Sequence, residues 1–181
     1  MDNRILLHCC CAVCAASCIE RLAEAGNQVV LFFSNCNIAP EEEYLRRLES
    51  MKKLAQICDL ELIVDEYDHP AWRQAVSGLE KEPEREGRCP VCFGFSLERT
   101  ARKAAELQIG RFATSLTVSP LKDSKTIFAV GAKYPGFEPY DFKKKDGYRR
   151  SGILAGEYGL YRQNYCGYEF SLRPSVKGGI L

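Results

Sequence analysis

An open, mostly parallel α/β sheet with helices on both faces is the fold this sequence predicts, as a single domain over residues 1–181. Three observations predict it. Short apolar runs alternate along the chain with longer stretches of helical period. The runs are continuous rather than polar-alternating, which is the pattern of strands buried on both faces. The length, 181 residues without an internal repeat or low-complexity tract, suffices for one hydrophobic core.

The elements follow in order. Ile5-Leu6-Leu7 is a short buried strand ending at His8, and a cysteine-rich turn comes next. A helix is expected from about Ala12 to Ala25, with Ala15, Ile19 and Leu22 on one face and Gly26 at its C-terminal stop. Gln28 to Phe33 (QVVLFF) is the second strand. Ser34 to Asn37 is loop, and Pro40 with Glu41-Glu42-Glu43 opens a helix reaching about Cys58. Leu60 to Val64 is the third strand, and a short helix around Trp72 lies within Asp65 to Gly78. After the charged loop Glu80 to Arg88, a long helix is expected from near Pro90 to Gln108. Arg111 to Val118 reads as a fourth strand, broken by Ser119-Pro120. A helix from about Ser124 to Tyr134, a fifth strand from Phe137 to Phe142, and a helix over 148–158 complete the pattern. From about 159 the chain reads as irregular.

Composition narrows the classes of function. Hydrophobic residues make up 46% and charged residues 27%, an ordinary globular mix. The formal charge of +1 excludes a polycation, so any nucleic-acid contact must come from a local patch. The opening apolar run is too short for a signal peptide, and no stretch approaches roughly 18 apolar residues. The expected location is therefore the cytosol, with no membrane partner. Ten cysteines are the anomaly for such a chain, and in a reducing compartment they point to metal ligation or redox chemistry.

Six of the ten stand at positions 9, 10, 11, 14, 89 and 92. In open α/β sheets ligands bind beyond the carboxyl ends of the strands, and His8 to Cys14, Ser34 to Pro40, Ser119-Pro120 and Asp141-Phe142 all fall there. Cys89-Pro90-Val91-Cys92 is a two-sulfur chelate at the head of a helix, where the N-terminus favours thiolate. Two more sulfurs from Cys9, Cys10, Cys11 and Cys14 would complete four. Four thiolates suit an iron–sulfur cluster or structural zinc. A Cys-Cys-Cys run over a crevice favours the cluster, because structural zinc usually takes two C-x-x-C knuckles. Cys18 and Cys58 occupy helical positions and read as core thiols, and Cys36 as a loop filler. His8 is either a ligand or base, or a strand-end histidine hydrogen-bonded for structure. Trp72 reads as packing, with base stacking the alternative if a face is exposed.

These residues resemble a known family. His8-Cys9-Cys10-Cys11-Ala12-Val13-Cys14 is similar to the pattern His-x-Cys-Cys-Ala-Pro-Cys. Asn35-x-Asn37-Ile38, Glu43-Tyr44, Gly87-Arg88-Cys89-x-x-Cys92, Thr114-Ser115-Leu116 and Ser119-Pro120-x-Lys122 match in turn. So do Asp141-Phe142-Lys143, Tyr148-Arg149-Arg150-Ser151 and Tyr161-Arg162-Gln163-x-Tyr165-Cys166-Gly167. The family is the QueH-type epoxyqueuosine reductases, and the likeness runs from residue 4 to about 171.

The resemblance implies a cobalamin-independent reductase that converts epoxyqueuosine in tRNA to queuosine at the wobble position. It implies a [4Fe–4S] cluster on Cys10, Cys11, Cys89 and Cys92, and a second, mononuclear iron that Cys14 would help bind. Cys9 falls on a variable position. Three departures stand out: Val13 replaces proline, Ser96 replaces an arginine after the C-x-x-C, and Tyr168 replaces the second cysteine of a redox-active Cys-Gly-Cys. The lone Cys166 cannot form that vicinal disulfide, so either the pair is dispensable here or another thiol such as Cys9 substitutes.

Removal of an epoxide oxygen to leave an alkene takes two electrons and two protons, which no side chain supplies, so a metal cofactor and an external electron donor are required. Asp141, His8, Tyr148 and Tyr165 are candidate proton donors, with Asp141 alternatively a ligand of the second iron, a helix cap or a partner of Arg149. Tyr148, Arg149, Arg150, Tyr161, Arg162 and Gln163 are the expected substrate contacts, joined on the basic side by Lys143-Lys144-Lys145, Arg173 and Lys177. The rival readings are a zinc-stabilised RNA-binding module without catalysis and another cluster-dependent tRNA-modifying enzyme. The second would normally carry a glycine-rich phosphate loop, and residues 8–14 contain no glycine.

Overall fold

A computed structural model describes residues 3–171 of the chain. Four strands form one all-parallel sheet: β1 (Arg4–His8), β2 (Gln28–Phe33), β3 (Leu62–Val64) and β4 (Phe112–Thr114). Six helices connect or flank them: α1 (Ala12–Glu24), α2 (Glu41–Cys58), α3 (His69–Ala75), α4 (Arg88–Glu106), α5 (Ser124–Gly131) and α6 (Gly147–Glu157). The strand order is β3-β2-β1-β4, so the chain winds outward from β1 to β3 and then returns to the other side of β1. The strand order reverses between β1 and β4, and the crevice at their carboxyl ends is where such sheets take ligands.

The continuous apolar runs serve two cores. Ile5, Leu7, Val29, Leu31 and Phe33 pack with α1, α2 and α6, whereas Leu6, Val30, Phe32 and Phe112 pack with α4 and α5. Side chains alternate along a strand, so every residue of β1 beyond Arg4 is buried on one face or the other. Each fully buried leucine contributes roughly 1.5–3 kcal/mol. That alternation continues past the strand. Cys9 shares parity with Leu7 and is sealed in the α1 and α2 core, while Cys10 shares parity with Leu6 and packs beside Cys89 of α4.

Two expectations of strand are corrected. The fourth strand is only three residues long, because the Thr114 hydroxyl accepts the Leu116 amide and turns Ser115–Val118 into a 3-10 helix. The fifth strand reduces to one bridge between Phe112 and Phe137, and the chain leaves the sheet after Glu138. Pro40 is the cap of α2 rather than its first residue, and α4 begins at Arg88, two residues before the expected proline.

Past β3, Asp65 ties the sheet to α4. Its carboxylate accepts from Arg99 Nε and from Ser34 Oγ, each at 2.6 Å. Burial works to raise this carboxyl, and the Arg99 and Ser34 hydrogen bonds outweigh burial and hold it below its ordinary value of 3.8. A folded-state pKa below the unfolded one stabilises the protein above the unfolded value, and the stabilisation is lost as pH falls through the folded one. Asp65→Asn should therefore lower stability at neutral pH by about 1–3 kcal/mol and flatten the acid limb of stability against pH. Urea unfolding across a pH series checks this, and an unchanged acid limb would contradict it.

No helix among the described residues is long and apolar enough to cross a membrane.

Candidate metal centre

The turn between β1 and α1 brings three sulfurs together. Those of Cys10, Cys11 and Cys14 all lie within 4.8 Å of one another. One tetrahedral ion with metal–sulfur bonds of about 2.3 Å holds its sulfurs roughly 3.8 Å apart, so the trio suits a metal as it stands. Cys11 is the N-cap of α1, its sulfur accepting the Cys14 amide at 3.3 Å where a serine oxygen usually would. The Cys10 and Cys14 thiols point their hydrogen bonds at Cys11, and together with that amide and the Gln163 side chain they hold its thiol well below the ordinary range. Cys10 is pushed up to about 12, chiefly by its bond to Cys11, and Cys14 is raised by both neighbours. The trio thus carries one readily formed thiolate, and an arriving cation would displace the remaining protons.

Two adjoining cavities open over this turn. One, of about 600 Å³, is walled by Cys10, Cys89, Cys92 and Cys166. The other, of about 1050 Å³, is walled by Cys10, Cys11, Cys14 and Cys166. Cys10, Cys166, Lys122 and Glu84 border both. Sulfurs some eighty residues apart in sequence therefore share a hollow.

Hydrogen bonding distinguishes sulfurs that receive a donor from the surrounding fold from those that only donate. Cys10 Sγ accepts from Ser115 Oγ (3.2 Å), Cys11 from its own helix's Cys14 amide (3.3 Å), Cys89 from the Arg85 amide (3.2 Å) and Cys92 from Trp72 Nε1 (3.3 Å). Cys9 and Cys18 do the reverse, donating to the carbonyls of Leu7 and Cys14. A carbonyl cannot donate, so these two are thiols, and burial raises both well above the usual range. Cys36 is buried, donates to Glu66 O and accepts from the Asp68 amide. Arg85 reaches Cys89 from a left-handed backbone conformation (φ 78°), uncommon for a side-chain-bearing residue, while its guanidinium holds the carbonyls of Pro120 and Leu121.

The far wall is the irregular segment 159–168. Arg47, buried on α2, anchors it: Nε pairs with Glu43 (2.7 Å), and Nη2 and Nη1 donate to the carbonyls of Tyr165 (3.0 Å) and Cys166 (3.2 Å). Tyr161 donates to the same Glu43 carboxylate at 3.0 Å. Gly167 (φ 117°) returns its carbonyl to the Ala39 amide, and a side chain there would strike Ile38 and Arg47. Tyr168 stands where the resemblance expected a cysteine. It is buried against Arg88, 4.0 Å from ring centroid to guanidinium, with its hydroxyl on Glu80 O. Cys9 lines neither cavity and is not brought to Cys166, whose sulfur lies 3.1 Å from Ser171 Oγ.

The remaining sequence-derived candidates divide. Tyr148, Arg162 and Gln163 line the larger cavity, and Gln163 Oε1 is buried there without a hydrogen-bond partner. Arg149 is exposed. Arg150 is spent on a two-pronged pair with Glu20 (2.7 and 2.9 Å), and Tyr165 donates its hydroxyl to Ala39 O. His8 borders the smaller cavity, but Nε2 meets the Ser34 carbonyl (3.0 Å) and Nδ1 the Thr114 hydroxyl (2.9 Å). Desolvation lowers its pKa to about 4, so the ring is neutral with both nitrogens engaged. Asp141 lines neither cavity: its carboxylate accepts from Ser124 Oγ and the Lys143 amide. The lost fifth strand is the reason, since the strand end that would have aimed it at the crevice is absent. Lys143 braces the carbonyls of Ser119 and Lys122. Trp72 is 1% exposed and borders the smaller cavity. Arg173 and Lys177 lie outside the described residues.

Sequence reasoning missed three residues. Lys122 borders both cavities, and although burial opposes its charge, Cys166, Cys10 and Cys92 keep its pKa raised. Its only signal was its place in the Ser119-Pro120-x-Lys122 match. Arg47 could have been found as a cation on the apolar stripe Tyr44, Leu48, Met51. The donation from Trp72 left no trace in the sequence.

The chain is similar to known proteins along nearly its whole length. The family model described as epoxyqueuosine reductase QueH matches residues 5–174. A protein of Streptococcus pyogenes named epoxyqueuosine reductase QueH is 38% identical over 180 residues, covering 93% of this chain and 70% of that one. One of the same name from Haemophilus influenzae is 34% identical, covering 97% and 74%. A third, from Thermotoga maritima, is 36% identical, covering 93% and 90%.

Proposed function

Because the chain belongs to the epoxyqueuosine reductase QueH family, we propose the following account of how its sulfur-lined hollow works. The protein is an epoxyqueuosine reductase, an oxidoreductase acting on tRNA. The reaction takes epoxyqueuosine, two electrons and two protons to queuosine and water: both C–O bonds of the epoxide break and the alkene forms. An external one-electron donor supplies the electrons in two steps.

The observation that carries the cofactor reading is the hydrogen-bond pattern. Each of Cys10, Cys11, Cys89 and Cys92 receives a donor, which suits a thiolate, and each lines one of the two cavities, whereas Cys36 also accepts a donor but lines neither. These four would hold a [4Fe–4S] cluster, and Cys14, on the side of the larger cavity, would help hold a second iron. When bound, these groups would supply electrons and a Lewis acid for the epoxide oxygen. Cys9 and Cys18 are core thiols.

The chain's own residues do the rest. Tyr148 and Arg162 border the larger cavity from the solvent side and are suited to an anticodon-loop phosphate and a splayed base. Gln163 Oε1, an acceptor with its partner missing, suits a substrate hydroxyl. Lys122 adds a positive charge at the shared wall, and Cys166 beside it is the thiol nearest to a catalytic part. His8 keeps a structural role, joining Ser34 to Thr114 at the switch point. Asp141 is given none in catalysis. With tRNA as its substrate the enzyme works in the cytoplasm.

Anaerobic incubation of the iron-loaded protein with epoxyqueuosine tRNA and a chemical reductant, followed by nucleoside mass analysis, tests the proposal. The expected result is loss of one oxygen atom from the modified nucleoside. A colourless protein that binds zinc and leaves the nucleoside unchanged would instead favour an RNA-binding module.

A further inference from the structure

We infer that Trp72 tunes the redox potential of the centre through its indole N–H, which it donates to the sulfur of Cys92. The inference rests on the reading of Cys92 as a cluster ligand and goes beyond it.

A buried indole N–H is a donor that must be satisfied, and it usually finds an oxygen. Trp72 is 1% exposed and gives its N–H to Cys92 Sγ at 3.3 Å. Its ring is held on two sides. His69 stacks on it, centroids 5.4 Å apart and planes 20° apart, and Tyr168 meets it edge-on at 5.2 Å. His69 is fixed in turn, with Nδ1 at 2.7 Å from the Cys36 carbonyl and Nε2 3.2 Å from Glu169. Asp68 caps α3 by accepting the Ala71 amide, which sets the helix that carries the ring. The indole therefore cannot swing away without unpacking its neighbours.

Among the four ligand sulfurs, two take their donor from the backbone and Cys10 takes it from Ser115, whose hydroxyl also accepts the Cys10 amide. Trp72 is the donor that can be removed without touching the backbone or the turn. Reduction places extra negative charge on iron and sulfur, and a donor aimed at a ligand sulfur stabilises that charge. Removal of the donor lowers the reduction potential. Trp72 is a positioning residue in this sense: it acts on the substrate only through the sulfur.

The test uses the full chain reconstituted anaerobically with iron and sulfide. Two replacements delete the N–H: Trp72→Phe, and incorporation of β-(3-benzothienyl)alanine at the chain's one tryptophan, which keeps the bicyclic shape. Redox titration followed by electron paramagnetic resonance should give a lower midpoint potential in both, at unchanged iron and sulfide content. Emission of Trp72 in the unsubstituted protein should be strongly quenched when the cluster loads. Equal potentials in all three proteins, or emission unaffected by loading, would overturn the inference. A folded variant that takes up no iron would also overturn it, by making the indole a packing element for ligand placement. An unsubstituted protein that takes up neither iron nor sulfide would instead overturn the cofactor reading.

Discussion

Cys92→Ser should give a folded protein that no longer retains four irons and turns over epoxyqueuosine tRNA more than about 1,000-fold more slowly, a barrier increase of roughly 4 kcal/mol. The same is expected of Cys10→Ser, Cys11→Ser and Cys89→Ser. An alcohol does not ionise at neutral pH and would leave the proposed cluster one anionic ligand short. The comparison that gives this force is Cys9→Ser and Cys18→Ser. Both sulfurs are fully buried thiols bonded to carbonyls rather than acceptors. Their replacements should keep iron and activity and lose about 1–3 kcal/mol of stability, the cost of a small polar group in an apolar site. Iron and sulfide content, urea unfolding and nucleoside analysis on all six proteins separate the two groups. Full iron content in Cys92→Ser, or iron loss in Cys9→Ser, would break the assignment.

Arg47→Met is expected to be the most destabilising change outside the sulfurs. The guanidinium is 2% exposed and the Glu43 carboxylate 8%. Removal of the cation leaves a buried anion with Tyr161 and the exposed Arg46, 3.8 Å away, as its remaining partners and frees the carbonyls of Tyr165 and Cys166. Loss of one member of such a pair costs about 3–5 kcal/mol. The segment released carries Gln163 and Cys166, so activity should fall even in variants that remain folded. Glu43→Gln combined with Arg47→Met should recover part of the stability, because no uncompensated charge is then buried. Denaturant unfolding of the single and double variants checks this. Additive losses would show that the two side chains are not coupled.

Much of the fold was legible because it depends on near neighbours in the chain. β1, β2, α1 and α2 follow from runs and periods a few residues long. The metal centre was half legible. The family resemblance implied Cys10, Cys11, Cys89 and Cys92, while spacing alone left open which of Cys9, Cys10, Cys11 and Cys14 would join the C-x-x-C pair, and only the packing shows Cys9 sealed in the core. The errors came where a local pattern competed with a distant contact. Phe137 to Phe142 has the composition of a strand, but the sheet offers it one bridge, and Asp141 leaves the crevice with it. For His8 the sequence left base and structural histidine open, and the hydrogen bonds to Ser34 and Thr114, which engage both nitrogens, fit the structural alternative.

The sequence by itself determined an α/β sheet, the place of the cysteine turn at the mouth of that sheet, and a family pattern spanning the chain. Tertiary structure alone decided which sulfurs accept and which donate, that Trp72 serves Cys92, and that Arg47 holds the wall bearing Cys166. The physical reason is range. Helical and strand periods are set by residues up to a few positions apart, whereas Ser115 meets Cys10 across 105 residues and Arg47 meets the Cys166 carbonyl across 119. Partners that far apart are chosen by how the layers pack, and a linear pattern holds no record of that choice.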